Sequence, residues 1–239
     1  METPIRNCRR RRYWFAAVMV FALIVPCKLP AQVDYLEPPI DYLNAEPNDA
    51  VSRLQKKLAD GECTLEFDDE YGYLKSVLQL LDVPESSQGL VFSKTSFQLR
   101  RISPQTPRAI YFGDDVYIGW VQGGDVIEVS TVDPQLGANY YVLNQQPGAP
   151  PEFERMTHAC LQCHASSLTR NIPGHIVRSV YPRPDGHPLL TAGTHRTDHT
   201  SPIEERWGGW YVTGQHGSQR HLGNLLVRES DDPDKLNLE

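Results

Sequence analysis

The stretch Val116-Tyr117-Ile118-Gly119-Trp120-Val121-Gln122-Gly123-Gly124-Asp125-Val126-Ile127-Glu128-Val129-Ser130-Thr131-Val132 decides the fold class. Two β-rich runs, 116–121 and 126–132, flank Gly123-Gly124-Asp125, which has the composition of a hairpin turn. Working outward, Gly113-Asp114-Asp115 separates this pair from a run at 109–112, and further β-rich runs lie at 90–92 and 140–143. An antiparallel meander is the expected result. Upstream the period changes: Val51, Leu54 and Leu58 recur at helical spacing, Asn48 or Asp49 can cap the start, and Gly61 stops the helix. A second helix is expected over 73–81, ended by Pro84. A strand-like run covers 63–67, and the Pro- and Tyr-rich residues 33–47 read as an extended arm. The expected class is α+β, with helices packed on one face of the meander. Three prolines between Gln145 and Pro151 mark a boundary, giving a β-rich α+β domain over 32–150 and a second region over 151–239.

Composition narrows the function classes. With 239 residues, 40% hydrophobic and 22% charged, the chain has a globular composition, and 19 prolines argue against a helical bundle. Arg6 and Arg9 to Arg12 precede an apolar stretch over 13–25 and the small-residue end Leu29-Pro30-Ala31, so residues 1–31 read as a signal peptide. That apolar stretch falls short of the roughly twenty residues needed to span a bilayer, so only an uncleaved signal would tie the protein to a membrane. Pro26 before Cys27 disfavours a lipoprotein. The signal holds six of the 23 Lys and Arg and one of the 30 Asp and Glu, leaving 17 positive against 29 negative charges. Such a surface repels nucleic acid and favours a partner protein with a basic surface. The expected location is the periplasm or cell envelope.

All eight histidines lie between His158 and His221, so metal or cofactor chemistry belongs to the second region. There, Cys160-Leu161-Gln162-Cys163-His164 is the Cys-x-x-Cys-His pattern of c-type haem attachment. One turn of chain sets two thiols at the porphyrin vinyl groups, and the following imidazole becomes the proximal iron ligand. The implied cofactor is one covalent haem c, and residues 151–239 become an irregular, partly helical haem c segment. A zinc site using Cys160, Cys163 and two histidines lacks a second Cys-x-x-Cys to close it. A thioredoxin-like disulfide site requires a buried strand before the motif, and residues 151–158 do not read as one.

Residues 160–224, together with residues 103–112 and 119–124, resemble an uncharacterised family of exported bacterial cytochrome c domain-containing proteins. The resemblance rests on Thr197-Asp198-His199-Thr200-Ser201-Pro202 and on the segment from Trp207 to Gly217, both after the haem motif. It implies haem binding and electron transfer. Family members are longer, so it also implies a C-terminally incomplete haem region.

The distal ligand is restricted by composition. Met1 and Met19 would leave with the signal, and Met156 lies four positions before Cys160, on the approach to the proximal side. If a sixth ligand comes from this chain it is expected to be a histidine downstream of the motif, the alternatives being an open site or a ligand in a missing C-terminal part; His175 follows too closely, His187 lies between prolines, and His199 and His216 are preferred over His195 and His221. Arg170, Arg178 and Arg183 are candidates to pair with haem propionates. Trp207, Trp210 and Tyr211 read as core aromatics rather than haem-stacking groups. The expected function is a monohaem electron-transfer protein, more a carrier than a catalyst. The alternative is a haem enzyme or sensor with an open distal site for peroxide or a small gas. A third reading makes haem a structural cofactor of an envelope assembly module.

Overall fold

Alternation along the β-rich runs sorts their side chains onto two faces. In β3 (Val116–Val121), β4 (Val126–Asp133) and β5 (Gly137–Asn144), Ile118 faces Val129 and Val129 faces Tyr141 across the ladders, so one face is continuously apolar. Each strand pairs with its neighbour in sequence, from β1 (Gly89–Val91) and β2 (Arg108–Phe112) through to β6 (Phe153–Arg155), giving a six-stranded antiparallel meander. The computed structural model describes residues 33–148 and 150–228. The expected signal over 1–31 lies outside the described residues.

Two helices cover the apolar face. The capping box of α1 (Ala50–Ala59) sets Asp49 at the N-cap, with its side chain accepting from the Ser52 amide and the Ser52 hydroxyl accepting from the Asp49 amide. Val51 and Leu54 of α1 and Leu74, Val77 and Leu78 of α2 (Leu74–Leu80) pack with Ala109, Ile118, Ile127 and Leu143. The Asp49 carboxylate is fully buried and accepts from Asn139 Nδ2 at 2.8 Å and Tyr141 Oη at 2.7 Å, which ties the helix start to β5.

The expected α+β class is overturned: the chain is mainly β, a six-stranded antiparallel sheet plus the two-stranded ribbon of β7 (Val177–Val180) and β8 (Thr194–Thr197). The second region is not partly helical beyond the four residues of α3 (Leu161–His164) and a few 3₁₀ turns. Proline at 173, 182, 184 and 188 denies it helical amides, and its backbone bonds are spent on the ribbon and on turns. Residues 63–67 form no strand, although Cys63 packs against the helix-side core. Residues 33–47 are turns rather than an extended arm, because Tyr42 is drawn into a fully buried position. Phe153–Arg155 does form a strand, so the sheet draws on residues from both sides of position 150.

Replacing Asp49 by Ala removes the cap and leaves the Tyr141 hydroxyl and Asn139 amide buried without an acceptor. The expected cost is about 3 kcal/mol, read as a lower urea midpoint with unchanged slope. Asp49→Asn, which keeps the cap and loses one acceptor oxygen, should fall between the two.

Candidate functional site

The sheet's second face carries Arg108, Tyr117, Gly119, Glu128, Ser130, Tyr140 and Val142, by the same ladder registers. Its rows are Tyr117–Ser130–Tyr140 and Gly119–Glu128–Val142, and the Cys-x-x-Cys-His turn sits against them. Leu161 is the anchor: it is buried in a second cluster with Ile40, Tyr42, Leu136, Ala138 and Tyr140, against which Cys160 and Met156 also pack. With Leu161 inward, Cys163 is exposed and Cys160 half-buried at the helix start.

His164 packs its ring on Tyr140 with centroids 4.7 Å apart. Its Nδ1 lies 3.0 Å from the Gly174 carbonyl oxygen. A carbonyl can only accept, so Nδ1 carries the proton and Nε2 presents a lone pair. The same carbonyl accepts from Tyr140 Oη at 2.7 Å, and the Gly174 amide donates back to the His164 carbonyl at 2.9 Å. Burial holds the His164 imidazole below its ordinary pKa, against the opposing pull of the Gly174 carbonyl.

The segment that supplies Gly174 is docked on the start of β5, where the Ala138 amide donates to the Pro173 carbonyl at 2.9 Å. Gly137 makes this approach possible: its φ is +80°, and a β-carbon there would collide with that carbonyl. A cavity of about 430 Å³ adjoins the segment, lined in part by Leu168, Ile172, Pro173, Ile176, Val177 and Arg196.

The residues present fit a covalently attached haem. Cys160 and Cys163 are free thiols. Among the described residues no group of three or more His, Cys, Asp or Glu side chains converges to hold an ion. Burial, with Glu128 nearby, pushes the Cys160 thiol up to about 11. A disulfide oxidoreductase needs the opposite, a depressed first thiol at a longer helix. The strand before the motif is likewise a three-residue edge strand rather than a buried central one.

The expected distal candidates sit on exposed turns. The His199 carbonyl accepts from Arg206, while His216 Nδ1 donates to the Gln219 carbonyl at 2.8 Å and its ring meets His221 at 4.4 Å. Arg178 donates to Thr194 on the ribbon, and Arg170 closes a 3₁₀ turn in a left-handed conformation. Trp210 lies against Gly89 and donates to the Arg178 carbonyl, stitching the second region to β1; Trp207 and Tyr211 are partly exposed. What the structure brings to the motif is His175, set aside in the sequence, along with Tyr117, Tyr140, Arg108 and Glu128. The His175 ring lies 4.6 Å from Tyr117 and 6.1 Å from Tyr140, and its buried Nε2 has no hydrogen-bond partner. The signal for the sheet residues was the alternation itself, which assigns 108, 117, 128 and 140 to the face away from the apolar core. Compared with protein-family models, with curated proteins and with solved structures, the chain finds no match.

Burial, with His164 beside it, lowers the His175 pKa to about 4. The unfolded chain takes up this proton near pH 6.5 and the folded one only near pH 4, so between those values the unfolded state binds more protons and stability falls with falling pH. In the haem-free chain, the urea midpoint should therefore drop from pH 7 to pH 5 by a larger amount than in His175→Phe. Equal drops in both proteins would contradict the burial of a neutral His175.

Proposed function

We propose that the protein is an exported monohaem c-type cytochrome that transfers electrons and transforms no substrate. One observation carries this reading: the histidine of the Cys-x-x-Cys-His turn donates its Nδ1 proton to the Gly174 carbonyl, leaving Nε2 as a preset ligand. Cys160 and Cys163 tether the cofactor through thioether bonds, and Leu161 fixes the turn that carries them. Tyr140 packs on the face of His164 and shares its carbonyl, which limits rotation of the imidazole. When bound, the haem supplies a one-electron couple. The resemblance of residues 160–224 to exported cytochrome c domain proteins supports the same reading. An acidic mature surface favours a redox partner with a basic face and disfavours nucleic acid. The proposed location is the periplasm or cell envelope, and no helix among the described residues is long and apolar enough to cross a membrane.

A second reading, an open-sited haem enzyme or sensor, draws on the placement of His199 and His216 on exposed turns and of Met156 within the cluster beneath the motif. Electron paramagnetic resonance of the ferric protein separates the two. A low-spin signal favours electron transfer, and a high-spin signal favours ligand chemistry.

Expression alongside cytochrome c maturation machinery should give a denatured band that stains for haem, with Cys163→Ser reducing the stain severalfold. A haem-free band of the unmutated protein from a competent host would sink the reading. Pro173 and Gly174 are positioning elements, so Gly137→Val should leave the band stained but broaden the ferric spectrum by releasing His164 from its carbonyl.

A further inference from the structure

The cavity of about 430 Å³ beside the Gly174 segment has the size of a small-ligand pocket and walls of two kinds. Leu168, Ile172, Ile176 and Val177 make one wall apolar, and Leu168 and Val177 are 47% and 41% exposed, so that wall opens to solvent. Arg196 and Asp198, from β8 and the turn after it, supply charge to the other. Cys160, Cys163 and His164 take no part in the lining, which separates the cavity from the motif itself.

Arg196 is fixed but not used up. Its Nη1 donates to the Leu168 main-chain carbonyl, which pins the guanidinium to the wall while the side chain stays 52% exposed. Its Nη2 is 4.0 Å from the Asp198 carboxylate, beyond hydrogen-bond range, and no other acceptor among the described residues takes it. Asp198 is held back by its own turn, where Oδ1 accepts from the Thr200 amide and hydroxyl. A forked guanidinium with donors to spare on an open cavity suits a carboxylate.

The ribbon adds an independent sign of an anion. Arg196 stands directly opposite Arg178 in the β7–β8 ladder, a placement in which like charges repel. Arg178 donates to Thr194 Oγ1 at 3.2 Å, and among the described residues neither arginine has a hydrogen-bonded carboxylate. Residues 32–239 carry 29 negative against 17 positive side chains, so two facing arginines without such a partner go against the charge of the rest. An anion beside Arg196 relieves the repulsion, and an apolar tail covers the exposed wall.

We propose that this cavity binds a small carboxylic acid with an apolar tail, the carboxylate received by Arg196 and the tail laid along Leu168, Ile172, Ile176 and Val177. Asp198 works against the ligand by competing for the guanidinium. The site does not depend on the cytochrome reading.

Octanoate is the probe, with acetate as the charge without the tail and octanamide as the tail without the charge. Titration calorimetry on the purified full chain should show octanoate binding, with both controls weaker by about tenfold or more. Arg196→Gln should weaken octanoate by about tenfold. Asp198→Asn, which keeps the acceptor for Thr200 and removes the competing charge, should tighten it severalfold. Leu168→Glu, at an exposed position, sets a carboxylate in the wall and should abolish binding, which keeps the test decisive if Arg196→Gln does not accumulate. At saturation the methyl resonances of Ile176 and Val177 should move. Absence of octanoate binding, equal affinity for octanamide, indifference to Arg196→Gln or Leu168→Glu, or unmoved Ile176 and Val177 methyls would each overturn the proposal. Haem staining of the band is read separately. Octanoate that binds the haem-free protein and not the stained one assigns the cavity to the cofactor, which overturns the proposal and leaves the cytochrome reading standing.

Discussion

The buried Asp49 carboxylate is the constraint from which the rest of the molecule hangs. It caps α1 and accepts from Asn139 and Tyr141. Arg155 joins the same network, donating to Asn139 Oδ1 at 3.0 Å and to the Tyr42 carbonyl at 2.8 Å while lying over the Tyr42 ring. A carboxylate in such a place is tolerated because three donors, the Ser52 amide, Asn139 and Tyr141, satisfy it. The network joins α1, β5, β6 and the turns before α1. It therefore fixes β5, and β5 presents Tyr140 and Ala138 on the other face, where the motif docks.

Two faces of one sheet thus carry different tasks. The face toward α1 and α2 is apolar and closes the core. The opposite face mixes tyrosines, a glycine and the Arg108–Glu128 ion pair with Val142, and through Tyr140 and Ala138 it joins the second apolar cluster. Leu161 reconciles the two by giving the motif one apolar foothold, beside which Cys160 packs while Cys163 stays exposed.

Strands β1 to β5 and the two longer helices were legible because strong local signals agreed: the Gly-Gly-Asp and Gly-Asp-Asp turns, the alternation from Val116 to Val132, and a capping residue at Asn48 or Asp49. The class was misjudged because the second region's Gly- and Pro-rich composition hides its backbone partners. Its strands β7 and β8 are set by long-range pairing, such as Ser179 with His195, that no local window reveals. The motif was readable from spacing alone. The placement of His175 was not, since it depends on Tyr117 and Tyr140 from two strands distant in sequence. The distal preferences for His199 and His216 leaned on resemblance, and the turns that hold them keep them at the surface.

The hydrogen bond from the Ala138 amide to the Pro173 carbonyl ties the proximal side of the site to the end of a central strand. Its consequence is kinetic. When the segment that holds His164 swings away, the Ala138 amide loses its carbonyl and passes to solvent, since no ladder partner takes over. Opening of the Gly174 segment and release of the Ala138 amide are one event. The protection of a single amide against exchange would then clock how often the carbonyl beside His164 lets go.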